Sequence, residues 1–123
     1  MTKILVVDDD AHLRSLVCQT LRPKFSVVEA SNGIEGLSWV HREVPDLIFL
    51  DVNMPGADGF EVCSAIKKDP ATRHIPVVML TARRTRNDLK KGKEAGADGY
   101  ITKPFSPTKL LDQVYEILES QNA

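Results

Sequence analysis

The chain has 123 residues, which suits one domain that buries roughly two-thirds of its unfolded surface and leaves little room for a second. An apolar share of 42% and a charged share of 27% are those of a globular protein, and a net charge of −1 gives no overall reason to expect nucleic acid or an anionic membrane surface as partner. No apolar run approaches the ~18 residues of a membrane span, and Met1-Thr2-Lys3-Ile4 leads straight into strand-like sequence, so no secretory leader is expected and the setting reads as cytoplasmic. The elements alternate along the chain. Residues 4–7 are a continuous apolar run and predict a strand; 11–21 predict a helix with Leu13, Leu16, Val17 and Leu21 as its core stripe. A second strand over 26–30 carries Glu29, and a helix over 33–44 opens at Asn32, with Glu35 at capping-box spacing. A third strand over 47–50 is followed by a helix over 59–68, opened by Asp58 with Glu61. The fourth strand, 77–80, precedes a helix over 86–95 introduced by Thr85 and Asp88. A short fifth strand over 100–102 leads to a helix over 107–119, where Ser106 is the cap and Pro107 the first helical residue.

Strands separated by helices imply right-handed crossovers and a parallel sheet covered on both faces. The first, third and fourth strands are apolar throughout, as central strands should be, whereas Glu29 and the brevity of the fifth strand mark edges. The order 2-1-3-4-5, a doubly wound flavodoxin-like α/β sheet of five strands, satisfies this pattern. In that order ligands bind at the carboxyl ends of the first and third strands. Both ends are acidic: the first runs into Asp8-Asp9-Asp10 and the third into Asp51. Carboxylates brought together cannot all stay ionised without compensation, so either some are protonated or a cation sits among them, and all-oxygen ligation next to open solvent suits Mg²⁺. Helix capping alone accounts for Asp10, but not for Asp8, Asp9 and Asp51 together. Thr81 and Lys103 follow the fourth and fifth strands onto the same rim, a hydroxyl and an ammonium suited to phosphoryl oxygens.

These residues, with the segments Asp51-Val52-Asn53-Met54-Pro55-Gly56, Leu80-Thr81-Ala82, Gly96-Ala97-Asp98-Gly99-Tyr100 and Lys103-Pro104-Phe105, give the chain its likeness. It resembles the receiver domain of two-component response regulators over essentially residues 1–123, with no output domain alongside. The resemblance implies that Asp51 accepts a phosphoryl group from a phosphohistidine on a sensor histidine kinase or histidine phosphotransfer protein. It implies Mg²⁺ (or Mn²⁺) held by Asp8, Asp9, Asp51 and the Asn53 carbonyl, with Asp8 acting largely through water. Thr81 and Lys103 would hold phosphoryl oxygens, Tyr100 would be an aromatic switch, and the bond before Pro104 would be cis. The helix 4–strand 5–helix 5 face would carry the signal to a downstream protein target, from a monomer or a weak phosphorylation-dependent dimer. Such a domain acts on its own side chain and is no enzyme in the usual sense. A phosphohydrolase would need a second acid two residues past the nucleophile, where Asn53 stands; a flavin or nucleotide module would need a phosphate-cradling loop where Asp8-Asp9-Asp10 would repel one.

Other features read as ordinary structure. Cys18 and Cys63 lie in apolar helical patterns and are expected to be reduced core thiols, and Trp39 a packing residue. His12, His41 and His74 lack metal-ligand spacing and are expected as ordinary surface or boundary residues. Residues 83–93 hold six basic residues (Arg83, Arg84, Arg86, Lys90, Lys91, Lys93) against one acid, Asp88, which reads as a solvated basic helix or a dock for an acidic partner. No DNA-binding motif is present.

Overall fold

The computed structural model describes residues 2–54, 58–81, 86–103 and 105–121. Strands β1 (Lys3–Val7), β2 (Ser26–Ala30), β3 (Leu47–Asp51), β4 (Val77–Thr81) and β5 (Gly99–Thr102) alternate with helices α1 (Ala11–Leu21), α2 (Gly33–Glu43), α3 (Gly59–Lys68), α4 (Arg86–Ala95) and α5 (Pro107–Gln121). The sheet is parallel throughout in the order β2-β1-β3-β4-β5, as the strand texture predicts. All five residues of β3 and of β4 are buried, while β2 and β5 are half-buried edges. The third and fourth strands each run one residue further than predicted, so Asp51 and Thr81 close their strands instead of following them.

Side chains alternate across the sheet and build two cores. Leu5, Val7, Ile48, Leu50, Val77 and Met79 pack under α2 and α3; Ile4, Val6, Leu47, Phe49, Val78 and Leu80 pack under α1 and α5. Cys18 belongs to the second core and Cys63 to the first, so the sheet separates them, and burial pushes both thiols up to about 11. The reading as reduced core thiols agrees with this placement. The predicted stripe of α1 needs one correction. Val17, Cys18 and Leu21 are buried, but Leu16 is exposed, because it lies about 140° around the helix from Leu21.

The helix ends follow local chemistry. Asp10 caps α1, accepting from the His12 and Leu13 amides at 3.0 and 3.2 Å. Asn32 accepts from the Glu35 amide at 2.8 Å, while Glu35 bonds the Ser31 hydroxyl, so the second arm of the predicted capping box goes to a neighbour. Ser106 accepts from the Lys109 amide at 3.2 Å, as expected of a cap before Pro107. The Thr85 cap lies outside the described residues. Helix α4 closes with Gly96 at φ +91°, its amide bonded to Lys93 O and that of Ala97 to Gly92 O, a Schellman ending that needs glycine's left-handed freedom. Lys67 locks this end, donating to Arg73 O, Ile75 O and the Asp98 carboxylate. His41, exposed as expected, bridges α2 to the end of α3 by contacts with Leu37 O and Asp69. Trp39 packs against the first core with Arg42 over its ring, in keeping with a packing role.

Candidate functional site

The site forms where β1 and β3 end side by side in the middle of the sheet. Val7 pairs with Leu50, so the next residue of each strand, Asp8 and Asp51, emerges at the same rim. Asp8 continues the ladder by one bond, its amide donating to Ala30 O at 3.1 Å, and its side chain is fully buried. Its Oδ1 accepts the Asp10 amide at 2.9 Å, which closes a tight turn with Asp9 at the exposed apex. Oxygen atoms of Asp8, Asp9 and Asp51 all come within 4.8 Å of one another.

Lys103 completes the cluster from the far side. Its backbone amide bonds Thr81 O at 2.7 Å, which extends the β4–β5 ladder. Its ammonium then reaches 3.2 Å from Asp51 Oδ1 and 3.4 Å from Asp8 Oδ2. Among the described residues, the Lys103 ammonium thus pairs with two buried carboxylates, and Asp9 joins them at the exposed rim. Burial and the neighbouring Asp8 charge push the Asp51 carboxyl up to about 6, even though Lys103 pulls it down. Crowded, hard, all-oxygen donors are a fitting set for a small divalent cation such as Mg²⁺ or Mn²⁺.

Support for Asp51 comes from behind. Gly59 opens α3 directly against the Asp51–Val52 backbone, where an added Cβ would collide with Asp51 O and Val52 Cα. The Gly59 amide bonds Val52 O at 3.0 Å, and the Val52 amide bonds Leu80 O at 3.0 Å. Asn53 turns the chain away, its amide 3.3 Å from Asp51 Oδ1.

Most predicted site residues therefore meet: Asp8, Asp9, Asp51 and Lys103 in one cluster, with Asn53 and buried Thr81 bordering it. Tyr100 stands apart. It pairs with Met79, packs on the first core and donates its hydroxyl to the Asp88 carbonyl of α4 at 3.3 Å. Pro104 and its peptide bond lie outside the described residues. Sequence reasoning missed Arg14, whose Nη1 donates to Asp8 O at 2.7 Å, and it read Glu29 only as an edge marker, although Glu29 anchors that same arginine. The available signal was a lone acid in an apolar strand together with a cation one turn past a helix cap.

Residues 4–115 match the model of the response regulator receiver domain. Over 113 residues the chain is 45% identical to response regulator PleD of Caulobacter vibrioides, which covers 91% of this chain and 25% of PleD. It is 43% identical over 117 residues to the phosphate regulon transcriptional regulatory protein PhoB of Escherichia coli, covering 94% and 51% respectively. The chain thus spans about half the length of these relatives or less. Chemotaxis protein CheY4 of Vibrio cholerae superposes with a TM-score of 0.91 at 35% identity, covering 94% of this chain and 98% of that one. A CheY-like receiver domain protein from Methanospirillum hungatei gives 0.93 at 29% identity, covering 99% and 97%. Among the described residues no helix is long and apolar enough to cross a membrane.

Proposed function

Because this chain belongs to the response regulator receiver family of two-component systems, we propose that it takes a phosphoryl group onto Asp51 from a phosphohistidine donor and signals through a change of surface. The observation that supports this most is the meeting of the Lys103 ammonium with the Asp8 and Asp51 carboxylates at the carboxyl rim of the central strands. Asp8, Asp9, Asp51 and the Asn53 carbonyl would hold Mg²⁺ or Mn²⁺ there. When bound, such a cation offsets the repulsion between an anionic nucleophile and an anionic donor.

An Asp51 carboxylate oxygen attacks phosphorus; the P–N bond of the phosphohistidine breaks, and its electron pair stays on the imidazole nitrogen, which gains a proton. The product is an acyl phosphate. Attack of water on its phosphorus later returns the carboxylate and inorganic phosphate, so the domain works on its own side chain. Lys103, already 3.2 Å from Asp51, pairs with a phosphoryl oxygen, and Thr81 donates a hydrogen bond to another. Gly59 and the Val52 amide bonds keep the nucleophile on a fixed backbone.

Signalling would run through Thr81 and Tyr100 to the α4–β5–α5 face. Tyr100 supports this role because its hydroxyl already rests on α4 while its backbone lies in the strand that pairs with Thr81. A histidine kinase or phosphotransfer protein would supply the phosphoryl group, and a protein target would read the face in the cytoplasm, with the domain monomeric or weakly dimerising once phosphorylated. The test is intact mass after incubation with acetyl phosphate and Mg²⁺. One added phosphoryl group that requires Mg²⁺ and disappears in Asp51→Asn is the expected result. No gain, even with a phosphohistidine donor, would leave a docking module that lacks the chemistry.

A further inference from the structure

We propose that Arg14 is a positioning residue of the acidic site, fixing the Asp8–Asp10 turn that presents Asp9 to a divalent cation; this rests on the metal-binding reading above. Arg14 stands on the second turn of α1, four residues past the capping Asp10. Its Nη1 donates to the Asp8 backbone oxygen at 2.7 Å, where the strand ladder has just ended and the chain swings into the acidic turn. Its Nε donates to Glu29 Oε1 at 3.1 Å. The guanidinium therefore bridges α1, the end of β1 and the edge strand β2.

Glu29 explains why this bridge is rigid. It is the acid that the apolar strand β2 carries, and its second oxygen takes Arg22 Nη2 at 2.7 Å. With both oxygens engaged, the carboxylate is held below its usual range, by Arg22 first and Arg14 after it. The Arg14 side chain is only 20% exposed, so its bonds are less diluted by water than those of a surface pair. The turn it grips has Asp8 buried and bonded to the Asp10 amide, which leaves Asp9 at the apex aimed by the backbone on either side. Outer groups that orient ligands commonly change metal affinity by tenfold or more when lost. A lysine would preserve charge but not the planar fork that serves two acceptors at once.

The experiment is calorimetric titration of Mg²⁺ into the full chain, with melting temperature recorded for each variant without metal. Arg14→Gln should weaken Mg²⁺ binding about tenfold, and Arg14→Lys should recover only part of it. Glu29→Gln should fall in between, and it serves as the readout if Arg14→Gln does not fold. Lys3→Gln removes a partly exposed ion pair, to Glu43, at the opposite end of β1 from the turn and outside the Arg14–Glu29 bridge; it should leave Mg²⁺ affinity within about twofold. A folded Arg14→Gln with unchanged affinity overturns the proposal. So does an equal loss in Lys3→Gln, which would tie the effect to general loosening. A wild-type chain that binds no Mg²⁺ would instead overturn the metal reading beneath it.

Discussion

Asp51 shows how a single side chain can be prepared at a cost to the fold. The free carboxyl has its ordinary value near 3.8, and the folded one is pushed to about 6 by burial and by Asp8. Between those values the folded chain binds a proton that the unfolded chain has released, so folding stability falls as pH rises through this window. Below about pH 4 the penalty is absent; above about pH 6 it is complete, and it amounts to at most about 3 kcal/mol. Asp51→Asn removes the charge and keeps the shape. Its melting temperature in EDTA should exceed that of the wild type at about pH 7.5, with the gap closing toward pH 4. Scanning calorimetry at the two pH values decides the matter, and a gap that ignores pH would mean that charge crowding is not the cause.

At the scale of elements, α4 meets β5 at the Tyr100 side chain. A Cβ on Gly92 would occupy the place of the Tyr100 hydroxyl, so the ring can rest against the helix there only because that residue is glycine. We expect Gly92→Ala to eject the Tyr100 ring from this seat at modest cost in stability, since the colliding atoms are the far end of a movable side chain. Ring proton NMR shifts and tyrosine iodination rates should both report greater exposure; an unmoved ring would show that the helix yields instead. This contact was not legible in the sequence, where Gly92 was one small residue within a basic run. Strand order and edges were legible, because apolar continuity and Glu29 register how much of each strand the neighbours cover. The acidic cluster was legible for a related reason: strand ends in a known order must meet. Arg14 and the exposure of Leu16 were not, since both depend on the rotation of α1 about its own axis, which a stripe of leucines defines only within one residue position. The Arg86, Lys90, Lys91 and Lys93 side chains of α4 are solvent-exposed, which fits a solvated basic helix.

At the scale of the molecule, one sheet serves two cores, and neither can melt alone without uncovering the other's floor. Phe49→Ala empties space in the core beneath α1 and α5, where the wild-type ring is wholly buried. It should destabilise the domain by about 3–5 kcal/mol. Trp39 sits on the opposite face, yet its fluorescence should follow the same shifted urea midpoint as far-ultraviolet circular dichroism. Two separated midpoints would show that the faces unfold independently. The strand order also has a consequence in time. Within this domain the strand made first, β1, lies between β2 and β3. After β2 has been synthesised, a β–α–β unit can close, but the other side of β1 waits for residues 47–51 with its backbone N–H and C=O groups unpaired. That interval is where a nascent chain is most open to pairing with the wrong strand, and where a chaperone that shields strand edges would act.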